Sequence, residues 1–165
     1  MLKLNEGDEV QQSDDTKEII FMISMSSKVL LDSSIKDFII SSEKVAHVQS
    51  GNSAEHALLV LTKTGYSSIP VLDIKYRLIG LLSTRMITES ILGLERIEYE
   101  KLENIKVDDI MEREVPFLKG TDTFSKALDL VINHAFICVT DEEDTFIGIL
   151  TRRVILKHFK KYIYS

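Results

Sequence analysis

Residues 66–87, YSSIPVLDIKYRLIGLLSTRMI, decide how the rest of the chain is read. A short run of strand formers, Ile69, Val71 and Leu72, follows Gly65 and is interrupted by Pro70. Proline supplies no N–H to a ladder and belongs at a strand start or an edge, so the spacing predicts a short strand beside an open cleft. Residues 73–76 read as a turn, residues 78–82 as a second strand around Gly80, and Ser83-Thr84 as the N-cap of a helix beginning near Arg85. The unit is strand, turn, strand, helix.

The unit recurs. From Asn133 the chain reads NHAFICVTDEEDTFIGILTRRVI, in which Asp141, Gly148 and Thr151 stand at one constant offset from Asp73, Gly80 and Ser83. A repeat of this length is too long for a solenoid repeat and too short for a comfortable independent domain, so two copies are expected to share a core.

Working outward, Asn52 is expected to cap a helix, with Glu55 completing a capping box. Ala57, Leu58, Val60 and Leu61 form its apolar face and Gly65 its stop. Upstream, Val29, Leu30, Leu31, Ile35, Phe38 and Ile39 suggest one or two short helices, capped among Asp32, Ser33 and Ser34, before an extended segment over 44–48. Downstream, a helix is expected over 85–94, then a charged connector over 95–103 with Ile97, Tyr99 and Leu102 on one buried side. In the second copy, residues 107–111 parallel 35–39 and residues 115–118 take the place of 45–48. Asp122 takes that of Asn52, and Thr151 caps a last helix from Arg152 to about Tyr162.

Composition bounds the classes. The chain has 165 residues, 44% of them hydrophobic, enough for one substantial core, and no apolar run approaches the roughly 18 residues of a membrane span. The N-terminus lacks the basic and apolar segments of a secretory signal. The lone cysteine, Cys138, lies in an apolar strand pattern and reads as a buried small hydrophobe, which fits a cytoplasmic protein. A net charge of -6 argues against non-specific binding to nucleic acid or an anionic membrane, so any anion site needs local basic groups. Residues 1–21 are polar and read as a weakly ordered tail. Lys17-Glu18 could be encoded by a ribosome-binding sequence just before Met22, so a natural start at Met22 is a further expectation. The division expected is a tail over 1–21, a first module over 22–103 and a second over 104–165.

Helix, short strand, helix, strand, strand, helix, duplicated, with Ile69-Pro70-Val71-Leu72-Asp73 and Gly80-Leu81-Leu82-Ser83, resembles the cystathionine-β-synthase (CBS) domain pair. The implied fold is α/β (α+β): tandem CBS motifs related by a pseudo-two-fold axis. The second copy keeps Asp141, Gly148 and Thr151 but has Ile137-Cys138-Val139 where Pro-Val is expected. The resemblance implies a regulatory module that holds adenine nucleotides in clefts between the copies and dimerises into a disc. Segments KVAHVQ, EHALLVLTKTGYSSIPVLD and ILGLERIE, with TRR near the C-terminus, look like the stand-alone CBS-pair proteins of Gram-positive bacteria that bind cyclic di-AMP. That likeness implies a homodimer that, when unliganded, holds the (p)ppGpp synthetase/hydrolase Rel and, in some members, pyruvate carboxylase. No resident cofactor is implied.

The implied site has Lys44, Val45 and Ala46 on one wall and Tyr66, Ser67, Ser68, Ile69 and Pro70 on the other. Thr151, Arg152 and Arg153 open the last helix beside it. Guanidinium forks at a helix N-terminus match phosphate oxygens, and arginine is otherwise mildly unfavourable there, so a local reason is wanted. Salt bridging to the acidic run 141–144 is the bland alternative. Arg85 is a weaker candidate. The family's ribose-binding Asp, three positions after the Ser/Thr, is replaced by Met86 and Val154. That counts against AMP or ATP and suits a cyclic dinucleotide whose 3′ oxygen is esterified, although it also suits a dead site. An AMP/ATP sensor is therefore the second reading, and an adaptor with clefts filled by Phe136 and Met86 the third. His47, His56, His134 and His158 are too scattered for a metal site, and no nucleophile with a base stands out, so catalysis is not expected.

Overall fold

The computed structural model describes the backbone of residues 6–164 and the side chains of residues 16–164. In chain order the elements are α1 (Glu6–Leu31), β1 (Ile40–Ser41), β2 (Val48–Gln49), α2 (Ala54–Thr64), β3 (Ser68–Leu72), β4 (Leu78–Ser83) and α3 (Thr84–Ser90). They continue as α4 (Val107–Ile110), β5 (Phe117–Lys119), α5 (Phe124–Val131), β6 (Phe136–Thr140), β7 (Phe146–Thr151) and α6 (Arg152–Ile163).

The repeated aspartates have a physical reason. Asp73 Oδ1 accepts from the N–H groups of Lys75 and Arg77 at 2.8 and 3.0 Å, and Asp141 Oδ1 from those of Glu143 and Thr145 at 3.0 and 2.8 Å. Each side chain ties the turn between two antiparallel strands, β3 with β4 and β6 with β7. Ser83 and Thr151 then cap α3 and α6 by accepting from the N–H groups of Met86 and Val154.

Two sheets result, ordered β2-β3-β4 and β1-β7-β6-β5. Pro70 lies in the central strand of the first, but β2 pairs with β3 only at Val71 and Leu72. Its missing N–H therefore faces an unpaired stretch, and β3 is an edge at that point.

The opening segments cross over. Leu30 and Ile35, which precede the first copy, are buried in the core of the second, with Phe124, Ile137 and Leu150. Val107 and Met111, which precede the second copy, are buried in the core of the first, with Leu61, Ile69 and Leu82. Mirrored backbone bonds fix the exchange: Ile35 N–H to Asp122 O and Phe124 N–H to Ser33 O, against Val107 N–H to Asn52 O and Ala54 N–H to Ile105 O. A smaller cluster of Val45, Leu72, Cys138 and Phe146 joins the two sheets.

Several expectations are corrected. Asn52 and Asp122 are not the helix caps; Ser53 and Thr123 are, accepting from the N–H groups of His56 and Lys126. Asn52 Oδ1 and Asp122 Oδ2 instead turn back to the N–H groups of Gln49 and Lys119, closing the strand-to-helix turns. Helix α3 stops at Ser90, short of Leu94, because Gly93 and Glu98 donate to Arg96 O and Ile91 O and fold the chain back on itself. In the connector Leu102 is buried, whereas Ile97 and Tyr99 stay exposed, so the expected buried side reduces to one residue. Helix α1 is continuous through residues read as a tail, while residues 1–5 lie outside the described part. Ile19, Phe21, Met22 and Ile23 on it are exposed, an apolar run that packs against neither core.

Candidate functional site

The crossover builds a cleft. Strand β1 pairs antiparallel with β7, Ile40 opposite Ile149 and Ser41 opposite Gly148, which carries residues 42–46 of the opening segment onto the second copy. A cavity of about 320 Å³ lies where this segment meets the starts of β3 and β6. Its lining is Ile40, Lys44, Val45 and Ala46; Gly65, Tyr66, Ser67, Ser68 and Pro70; and Ala135, Phe136, Ile149 and Thr151.

Eight of the eleven expected residues therefore come together, Lys44, Val45, Ala46, Tyr66, Ser67, Ser68, Pro70 and Thr151. Lys44 is exposed at the mouth, Val45 is buried and Ala46 half-buried, so the wall passes from charged to apolar with depth. The Val45 carbonyl lies 3.2 Å from His47 Nδ1, and the His47 ring meets Tyr76 edge-on at 5.8 Å, which fixes the far end of this segment. Tyr66, 46% exposed, offers a free ring face on the opposite lip.

Ile69 does not line the cleft. It is fully buried in the first core, because alternate residues of a strand face opposite sides and its neighbours Ser68 and Pro70 face the cavity.

Arg152 and Arg153 do not line it either. Arg152 Nε donates to Val131 O at 2.7 Å and its terminal nitrogen to Ile132 O at 3.3 Å, so the guanidinium closes the C-terminal end of α5. This is the local reason for an arginine at the start of α6: it sits at the negative end of one helix rather than serving the positive end of the next. Arg153 is exposed and lines a neighbouring open depression with Arg152, Leu156, Lys157, Lys160 and Ala135, the last shared with the cleft. Neither arginine pairs with the acidic run 141–144; Asp144 is held by Lys119 at 2.5 Å. Arg85 pairs with Glu89 at 2.7 Å on the surface of α3.

Ile40, Gly65, Ala135, Phe136 and Ile149 complete the lining and were not named as site residues. The repeat offset could have found two of them, since Ala135 and Phe136 are the second-copy counterparts of Ser67 and Ser68. Phe136 reaches the cavity without filling it, and Met86 packs against the first core, away from it. Burial pushes the Cys138 thiol up to about 12, which leaves it an unreactive packing group. Among the described residues no cluster of His, Cys, Asp and Glu could hold a metal, and no helix is long and apolar enough to cross a membrane.

Crossed opening segments, a three-stranded and a four-stranded sheet and a cleft between the copies define a paired α/β module. CBS domains match residues 35–93 and 107–161, and the chain belongs to the CBS domain family. It is similar to Cyclic di-AMP receptor B of Bacillus subtilis (strain 168), with 54% identity over 144 residues that cover 87% of this chain and 98% of that protein. Among solved structures it resembles the Listeria monocytogenes CbpB protein in complex with c-di-AMP, with 53% identity, a TM-score of 0.74 and coverage of 79% of this chain and 97% of the other. A CBS domain-containing protein of Bacillus anthracis is 57% identical at a TM-score of 0.76, covering 82% of this chain and 98% of that one.

Proposed function

We propose that this chain is a non-enzymatic, cytoplasmic receptor for cyclic di-AMP that acts by changing which partner protein it can hold. The observation that carries the reading is the cleft of Lys44–Ala46 and Tyr66–Pro70 in a chain 54% identical to a protein named as a receptor for that ligand. An adenine enters between Val45, Ala46 and Pro70, with Tyr66 against its face and Phe136 beneath it. Lys44 at the mouth meets phosphate, and Arg153 reaches it from the first turn of α6 across Ala135. The cavity of about 320 Å³ sits at the low end of the roughly 300–1,000 Å³ of small-molecule pockets, so it suits one half of a dinucleotide, with the phosphates near the rim. Thr151, occupied as the cap of α6, shapes the floor.

The chain acts as a homodimer; Leu59 on α2, half exposed, and Leu94 beyond α3, fully exposed, support a second copy there. The regulated partner is the (p)ppGpp synthetase/hydrolase Rel, with pyruvate carboxylase as a further one. Ligand releases a partner only if it binds the free form more tightly, and coupling of about 1–3 kcal/mol gives a 5- to 150-fold shift.

Calorimetry with cyclic di-AMP, AMP, ATP and S-adenosylmethionine tests the ligand. Tight binding of cyclic di-AMP is expected, weakened roughly ten- to hundredfold in Lys44→Ala, as loss of a charge-assisted contact costs about 1.5–3 kcal/mol. Tight ATP with no cyclic di-AMP transfers the site to the energy-sensor reading. That reading is disfavoured by Met86 and Val154, which supply no carboxylate for a free ribose diol.

A further inference from the structure

Helix α6 carries a second surface. Its sequence, RRVILKHFKKYI, contains no acidic residue, in a chain whose net charge is -6. Elsewhere among the described residues six basic side chains pair with carboxylates, Arg77 with Asp73, Arg85 with Glu89, Arg96 with Glu100, Lys101 with Glu98, Lys119 with Asp144 and Lys126 with Asp122, whereas Lys28, Lys36, Lys44, Lys63, Lys75 and Lys106 stand singly along the chain with no such pair. Among the described residues Arg153, Lys157 and Lys160 have no carboxylate partner. Helix α6 thus gathers Arg152, Arg153, Lys157, Lys160 and Lys161 within 12 residues that hold no carboxylate, a local density of positive charge against a negative global field.

These cations are not a merely solvated face. Arg153, Leu156, Lys157 and Lys160 stand at helical spacings of three and four, so they share one side of α6 and line one open depression with Ala135. Leu156, at its centre, is 59% exposed, an apolar floor ringed by unpaired positive charge. A small anion would use the charges and leave the leucine wet. A macromolecular segment that covers Leu156 with an apolar side chain and brings carboxylates to the ring uses both.

We propose that this face of α6 is a docking surface for an acidic amphipathic helix of a partner protein, with carboxylates spaced by three or four residues about one apolar anchor. The surface is distinct from the cleft in everything but Ala135 and the reach of Arg153, so it stands whether or not the cleft takes cyclic di-AMP.

The probe is a fluorescein-labelled helical peptide of Glu with a single Leu stripe, titrated by anisotropy against the full chain. Saturable binding is expected, weakening severalfold as salt rises from 50 to 200 mM, as the screening length falls from about 14 to about 7 Å. The double variant Lys157→Glu/Lys160→Glu is expected to lose at least about tenfold in affinity, and Leu156→Ser severalfold, with the circular dichroism and calorimetric ligand affinity of both unchanged. Equal binding to wild type and double variant overturns the proposal, as does equal binding of a peptide in which Leu is replaced by Gln. Binding to vesicles with anionic lipid but not to the peptide, or a drop from dimer to monomer mass in the double variant, assigns the face to a membrane or to a second copy and also overturns it.

Discussion

The two adjacent arginines at the start of α6 do different work, and side-chain reach decides which. Arg152 spends its donors on the last carbonyls of α5, which have no intrahelical partner of their own. Arg153, one position on, points to a different side of the helix and keeps its donors free. Arg152→Ala is therefore expected to cost about 1–2 kcal/mol of stability in urea unfolding, while calorimetric affinity for cyclic di-AMP stays within about twofold of wild type. Arg153→Ala is expected to do the reverse, with an unchanged urea midpoint and an affinity roughly ten- to hundredfold weaker. Equal stability and affinity effects in the two variants would erase the division of labour.

At the scale of elements, the decisive contact is the short pairing of β1 with β7. Gly148 sits at φ +153°, and a Cβ there would come within 2.1 Å of Ile40 O and 2.8 Å of Ile39 Cγ2. Gly148→Ala must push β1 away and with it Ile40, one wall of the cleft, so a loss of about 2–4 kcal/mol in unfolding free energy is expected together with weakened ligand binding. A second tie joins the copies at Asp108, whose carboxylate accepts from Ser50 Oγ and the Gly51 N–H, both at 2.6 Å. Burial alone would raise this carboxyl, but those bonds, with Arg113 nearby, hold it below its ordinary range. A lowered folded-state pKa means stability that is present above the unfolded carboxylate range and lost as pH falls through the folded value. Asp108→Asn is thus expected to flatten the acid limb of a urea-midpoint titration between pH 7 and 3; superimposable limbs would remove Asp108 from the linkage. The sequence made the strand-turn-strand-helix units legible because Asp73, Ser83 and their counterparts bond locally. It hid the crossover, because Ile35 and Val107 satisfy the same apolar pattern whichever copy they enter. Ile69 was misplaced in the site for a related reason: neighbouring strand residues look alike in sequence yet face opposite sides.

For the whole molecule, the site is where the two copies and the crossed opening segment meet, so a ligand there touches three parts of the fold that unfolding would separate. A ligand that binds only the assembled cleft stabilises it by RT ln(1 + [L]/Kd), about 2.7 kcal/mol at one hundred times Kd. For a chain of this length each kcal/mol moves the melting temperature by about 2–4 °C, so cyclic di-AMP at one hundred times its calorimetric Kd is expected to raise it by about 5–11 °C at fixed protein concentration. The variants sharpen the measurement. Arg152→Ala is expected to start from a lower melting temperature and keep the full increment, since its loss is structural. Arg153→Ala is expected to start from the wild-type temperature and lose most of the increment at the same ligand concentration. Gly148→Ala, which loosens the wall itself, is expected to lose on both axes. A uniform increment across all three, or none for wild type when calorimetry reports saturation, would mean that ligand binds somewhere other than between the copies.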